Sequence, residues 1–152
     1  MTMDRSDVVS LLNDMIETSR DGEQGFRTCA ENAKSPQLKS FFLDGAQRCQ
    51  QAVSELQQYV TQYGGSAETS GSVAGAVHRG WVNLKSALSS NEDKAMLEEC
   101  VRGEEHAVSV YRDALQKDLP PELRTVVERM YQGAQQNHAK VQQLANQFQA
   151  ST

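Results

Sequence analysis

Apolar and small residues recur at alternating spacings of three and four along four long stretches of the chain. The stretches cover about residues 6–33, 36–63, 91–118 and 121–149. This spacing puts the recurring residues on one face of an α-helix, whereas a half-buried strand would alternate at every second position. Each stretch holds roughly 28 residues, which corresponds to about 42 Å of helix. The pattern therefore predicts four long helices of equal length, each with one buried face.

Proline and helix-capping residues mark the ends of these stretches. Residues 35–36 (Ser-Pro) combine an N-cap with proline in the first helical position. Residues 119–121 (Leu-Pro-Pro) end the third helix and begin the fourth. The third helix has two candidate N-caps: Ser89, with Glu92 three residues later as in a capping box, and Asn91.

The connection between the second and third stretches, residues 64–90, is too long for a simple turn. It begins with Gly and Ser, and its later part carries apolar residues at the spacing of a short amphipathic helix: Val73, Val77, Trp81, Leu84 and Leu88. We expect this short helix to lie against the others, anchored by Trp81.

The predicted fold class is all-α, with a single domain over residues 1–152. Two helical hairpins, joined by a long crossover at about 64–90, would form a four-helix bundle.

Parts of the first two stretches recur in the last two. Residues 15–17 (MIE) and 22–23 (GE) match 96–98 (MLE) and 103–104 (GE) at an offset of 81, and 45–47 (GAQ) matches 133–135 (GAQ) at an offset of 88. Two interpretations fit: chance similarity between amphipathic helices, or a duplicated hairpin with pseudo-twofold symmetry. The second would give Glu23 and Glu104 equivalent places.

Glu23 and Glu104 are unusual because each occupies a helix position where apolar or small residues would otherwise stand. A buried carboxylate is costly unless it is paired, protonated or bound to a metal ion. Counting residues from the predicted helix ends places both near the middle of the bundle, within about 3 Å in height. We expect both carboxylates to point inward, with a raised pKa for at least one.

Small residues crowd the same level and leave room for water, an ion or a ligand. They are Ser19, Gly22, Gly45, Ala46, Ala107, Gly133 and Ala134. Polar residues at this level are candidate partners of the glutamates: Arg48, Gln50, Gln135, Asn137 and His138. Three interpretations remain open: a hydrogen-bonded polar layer without activity, a metal site, or a small-ligand pocket.

Composition and charge narrow the class of protein. The net charge is -5, which argues against a nucleic acid as the main partner. No stretch is apolar enough for a membrane span, and the first residues contain no apolar signal-peptide core, so we expect a cytoplasmic protein. The three widely spaced cysteines favour free thiols over a disulfide framework.

Three segments carry a resemblance to a known family: residues 12–17 (LNDMIE), 21–27 (DGEQGFR) and 71–81 (GSVAGAVHRGW). With the equal helices and the long crossover, the chain resembles the ferritin-like superfamily, within a bacterial subgroup of four-helix-bundle proteins that carry a domain of unknown function. The resemblance covers nearly the whole chain, and the third segment is its most specific part. It implies no established activity, although some relatives are associated with stress responses.

The di-iron proteins of the ferritin-like superfamily use one Glu on each of two helices and Glu-x-x-His on the other two. Glu23 and Glu104 match the single glutamates. Both Glu-x-x-His motifs are missing, since residues 47–50 (QRCQ) and 135–138 (QQNH) stand at the corresponding places. Glu23, Glu104 and His138 would suffice for one divalent metal ion but not for two irons.

The function expected from these observations is non-catalytic. We expect a stress-related bundle protein that acts through association with a protein partner or with further copies of itself. The alternative is binding or storage of a divalent metal ion at Glu23, Glu104 and His138, and a third hypothesis is a small-ligand pocket. Ferroxidase or oxygenase activity is disfavoured, and no organic cofactor is expected.

Overall fold

The protein is described here by a computed structural model that covers residues 3–65, 81, 83–90 and 92–150. This part of the chain holds five helices and no strand: α1 (Arg5–Asn32), α2 (Pro36–Gln62), α3 (Leu84–Ser90), α4 (Asp93–Leu115) and α5 (Pro121–Ala150). The all-α prediction is therefore confirmed for the described residues. None of the described helices is long and apolar enough to cross a membrane.

The predicted cap of α2 is confirmed, whereas the predicted cap Ser89 does not cap α4. Asp4 accepts a hydrogen bond from the Asp7 amide at 2.8 Å, and Ser35 caps α2 ahead of Pro36. The predicted cap Ser89 instead lies inside α3, where its hydroxyl donates to the Lys85 carbonyl. Asn91 lies outside the described residues. The residue before α4 is Glu92, whose side chain makes no capping bond.

Asp93, the first residue of α4, contacts the turn of the first hairpin. Both carboxylate oxygens of Asp93 accept backbone amides from the turn between α1 and α2, from Lys34 at 2.9 Å and from Ser35 at 3.0 Å. This interaction joins the start of α4 to the turn of the first hairpin, so the two hairpins share that end of the molecule.

Contacts at the opposite end establish the directions of the helices. The Met3 amide donates to the Asp118 carbonyl at 3.1 Å, and the Tyr63 hydroxyl donates to Glu122 at 3.1 Å. The start of α1, the end of α2, the end of α4 and the start of α5 therefore meet. Helices α1 and α5 run one way, while α2 and α4 run the other. The end of α2 and the start of α4 therefore lie at opposite ends of the molecule.

Trp81 anchors the later part of this connection. Its side chain is buried, and it packs where α1 and α4 each present a glycine: a Cβ on Gly25 or Gly103 would lie 2.6 Å or 2.4 Å from the indole ring. The ring of Phe26 meets the indole edge-on, with 5.3 Å between centroids. Val73 and Val77 of the predicted short helix lie outside the described residues, whereas Leu84 and Leu88 belong to α3.

A buried carboxylate holds the chain beside Trp81. The Asn83 amide donates to Glu99 Oε2 at 2.6 Å, and Arg102 donates to Glu99 Oε1 at 3.1 Å. The Glu99 side chain is fully buried. The residue is buried because the connection after Trp81 covers this face of α4.

Two hydrophobic cores lie toward the two ends. The first, near Asp93, includes Phe26, Cys29, Leu38, Phe42, Trp81, Met96, Leu97, Cys100 and Val141. The second, near Met3, includes Val8, Leu12, Met15, Ile16, Leu56, Val60, Tyr111, Leu123 and Val127. The three cysteines are free, as predicted, and the sulfur atoms of Cys29 and Cys100 lie 4.0 Å apart in the first core.

The close packing of Trp81 predicts opposite effects for two glycine-to-alanine changes. In Gly103→Ala the new methyl group meets the indole ring, which should lower the free energy of unfolding by about 1–3 kcal/mol. In Gly133→Ala the methyl group meets no atom within 4 Å, and the gain in helix propensity should raise stability by about 0.5–1 kcal/mol. Urea denaturation measures both. Equal stability of the two variants would contradict the assigned position of Trp81.

Candidate functional site

A cavity of about 330 Å³ lies between the two cores, at the lower end of the range of small-molecule sites. All four long helices contribute to its wall, together with Trp81. Small residues create the space, since Gly22, Ala52, Ala107, Gly133 and Ala134 all line it. The sequence singled out this level correctly except for two residues. Gly45 packs against Phe26, and Ala46 belongs to the first core.

Glu104 on α4 provides the buried acid of this cavity. Its side chain lines the cavity and is only 6% exposed. Burial raises its pKa to about 7, and the positive charge of Arg48 partly opposes that rise. Within the described part of the chain the carboxyl has no ion-pair or hydrogen-bond partner. The prediction of an inward glutamate with a raised pKa is confirmed for Glu104, with desolvation as the main cause.

Glu23 has a different environment, although the repeat made it the counterpart of Glu104. Its carboxylate accepts a hydrogen bond from Arg27 at 3.0 Å, one turn later on the same helix, and its side chain is 23% exposed. The neighbouring Gly22 lines the cavity instead and packs closely against Cys49. The structure thus places Glu23 at a partly exposed edge and Glu104 in the interior.

Of the other polar residues predicted to contact the two glutamates, some line the cavity and others lie at the surface. Asn137 lines the cavity, as does Arg48. Gln50 is exposed, and so is Gln135, whose amide donates to the Tyr131 hydroxyl at 3.1 Å. Gln50 lies outside the interior layer because Cys49, one residue earlier, takes the inward position on α2, and a helix turns by about 100° per residue.

His138 pairs with an acid outside the cavity. Its Nε2 atom lies 3.3 Å from Glu105 Oε1, and both side chains are partly or largely exposed. Glu105 follows Glu104 on α4, so the histidine is turned toward the outer of the two adjacent acids. Among the residues that the structure describes, no three His, Cys, Asp or Glu side chains are grouped so that they could hold a metal ion.

Three neutral polar groups complete the interior wall. The hydroxyls of Ser19 and Tyr111 lie 3.2 Å apart and form a buried hydrogen bond between α1 and α4. Burial raises the pKa of Tyr111 to about 12. The pKa of the Cys49 thiol is also raised to about 12, first by burial and then by the negative charge of Glu104. Both groups therefore stay protonated near neutral pH, and Cys49 has no thiolate character.

Cationic side chains lie on the α2 and α5 walls. The guanidinium carbon of Arg48 is 6.0 Å from the centre of the Phe26 ring, in reach of a cation–π interaction. Arg48 has no ion-pair partner among the described residues. Arg129 on α5 pairs with Glu55 on α2 across the cavity wall. The helical pattern gave no signal for this last pair, because each residue alone is an ordinary surface charge.

These features define an all-α helical protein with a small cavity of mixed polarity between two apolar cores. The sequence matches the model of a domain of unknown function, DUF2383, over residues 7–117. Because this match covers more than half of the chain, the protein belongs to the DUF2383 family. The matched region contains Arg48, Trp81 and Glu104 but ends before α5. No curated protein matches the sequence.

The raised pKa of Glu104 predicts a pH-dependent stability. Between its unfolded value of 4.5 and about 7, the unfolded chain loses this proton first, so folding becomes less favourable as the pH rises. By pH 8 the loss amounts to roughly 3 kcal/mol. Glu104→Gln has no proton to lose. Its stability should therefore fall less than that of the unchanged protein between pH 5 and pH 8.

Urea denaturation at the two pH values measures this difference. Glu105→Gln is the matched control, because it removes the adjacent but exposed acid and should leave the dependence on Glu104 intact. An identical decrease for Glu104→Gln and the unchanged protein would show that Glu104 does not titrate in a buried site.

Proposed function

We propose that this protein is a non-catalytic binding protein that holds a small molecule in its central cavity. The observation that carries the proposal is the Glu104 side chain, which is buried, lines an open space and has no polar partner in the described part of the chain. Leaving a buried polar group unpaired costs about 1–3 kcal/mol, and more for a charged group. A bound ligand with a complementary polar group would offset that cost.

The character of the wall supports binding rather than covalent chemistry. Burial keeps the Cys49 thiol and the Tyr111 hydroxyl protonated near neutral pH, and the Ser19 hydroxyl is hydrogen-bonded to Tyr111. Phe26, Trp81 and Met130 offer apolar contact. A wall that is mainly apolar with a few placed polar groups is typical of small-molecule sites.

The metal alternative remains a prediction of the sequence, with less geometric support. Glu23 pairs with Arg27, and His138 contacts Glu105, so each has a partner other than Glu104. A divalent ion at these three residues would require both side chains to leave those partners. Binding of a small molecule in the cavity requires no such change.

The resemblance to ferritin-like proteins also carries over as part of this proposal. The order of helix directions is the one expected for two hairpins joined by a single long crossover, which supports a ferritin-like four-helix bundle. A stress-related role and association with other chains remain predictions. Among the described side chains, Leu43 is the one exposed large hydrophobic residue, which offers a partner little apolar surface.

A fragment screen by protein-observed NMR tests the proposed function. We expect at least one small amphipathic compound to bind with a Kd of about 1 mM or tighter and to shift the indole signal of Trp81, the only tryptophan in the chain. Gly133→Leu, which extends a side chain into the cavity from an open position, should abolish that binding.

Ala139→Leu is the control for this change, because it adds the same bulk to an exposed position of α5. Binding should survive in that variant. If no compound shifts the cavity residues, or if Gly133→Leu binds as the unchanged protein does, the cavity is not a binding site.

A further inference from the structure

We infer that the cavity recognises a small zwitterionic aminocarboxylate with an apolar body, whose ammonium faces Glu104 and whose carboxylate faces Arg48. The inference rests on the proposed function and names the class of ligand. It comes from a carboxyl group and a guanidinium that line the same cavity, neither of which has an ion-pair partner among the described residues.

Glu104 and Arg48 line the same cavity without forming an ion pair. Arg48 lies close enough to lower the pKa of Glu104 and of the Cys49 thiol, so its positive charge reaches both groups. Yet no ion pair, with an N–O distance of 4.0 Å or less, joins Arg48 to Glu104. The guanidinium instead lies over the Phe26 ring. A dipolar ligand would occupy the cavity that both side chains line.

The positions of Glu104 and Arg48 determine the orientation that the ligand would take in the cavity. Glu104 is 6% exposed and stands on α4, on the wall that also holds the Ser19–Tyr111 hydrogen bond. Arg48 stands on α2 and is only partly buried. The ammonium would therefore enter first and the carboxylate would remain nearer the surface. A carboxylate is the planar partner that a guanidinium binds best.

A ligand with a single charge would leave one side of the site unsatisfied. An amine would pair with Glu104 while its positive charge faced the unpaired Arg48. A carboxylate would pair with Arg48 while its negative charge approached Glu104. Only a ligand with both groups compensates both side chains, and the indole of Trp81 and the side chain of Met130 remain to contact its apolar part.

Two matched sets of compounds test this class by isothermal titration calorimetry. One set is L-leucine, 4-methylpentanoate and 3-methylbutylamine, which share an aliphatic body and differ in the charged groups. The other is L-phenylalanine, 3-phenylpropanoate and 2-phenylethylamine. We expect at least one amino acid to bind about tenfold or more tightly than both of its singly charged analogues, the difference expected for one well-placed charged contact.

Two variants assign the charged groups of the ligand to their partners. Glu104→Gln should weaken binding of the amino acid about tenfold while leaving that of the carboxylate analogue unchanged or stronger. Arg48→Gln should weaken binding of the amino acid similarly and spare that of the amine analogue. Glu105→Gln and Arg112→Gln, which remove exposed charges outside the cavity, are the controls and should bind as the unchanged protein does.

Circular dichroism and thermal unfolding establish that each variant is folded before it is titrated. The inference is overturned if an analogue with one charge binds as tightly as the amino acid, if either variant leaves amino-acid binding unchanged, or if neither amino acid binds at about 10 mM. When fragments bind in the NMR screen but these amino acids do not, the aminocarboxylate class is wrong and the binding function stands. When no fragment binds either, both fail.

Discussion

The contact of Trp81 with Gly25 and Gly103 is the constraint on which the arrangement of this molecule depends. The indole lies where two helices of different hairpins present no side chain, so α1 and α4 can both approach it closely. The same ring belongs to the first core and to the wall of the cavity. Glu99 then holds the backbone next to it through Asn83. One side chain of the connection thereby joins the two hairpins and bounds the space between them.

The cavity exists because the two cores end where the side chains become small. On one side, Trp81 and Phe26 close the space, and on the other the Ser19–Tyr111 hydrogen bond does so. The polar groups that line the cavity differ in whether they have a hydrogen-bond or ion-pair partner. Ser19 and Tyr111 satisfy each other, whereas Glu104 and Arg48 have no such partner in the described part of the chain. The site is thus a place where packing and polar satisfaction are both incomplete, as is common where a ligand binds.

The periodic pattern predicted the helices well, because burial of one helix face is imposed by the whole length of each stretch. It also predicted Glu104, since an acid within an apolar face is conspicuous. It was less informative for Glu23, Gln50 and His138, which lie near the border of the buried face. There, a rotation of a few tens of degrees decides between cavity and surface, and residue spacing does not determine that rotation. Glu99 was missed for another reason: its burial depends on a connection whose path no local pattern gives.

The hydrogen bonds from Lys34 and Ser35 to Asp93 have a consequence for the order of folding. Each hairpin is built from two long helices that follow one another in the sequence. The Asp93 contacts, by contrast, span 58 and 59 residues and form only when the hairpins dock. Because helices of both hairpins line the cavity, it is complete only once the hairpins have docked. A molecule bound there would slow undocking and leave the rate of hairpin formation unchanged.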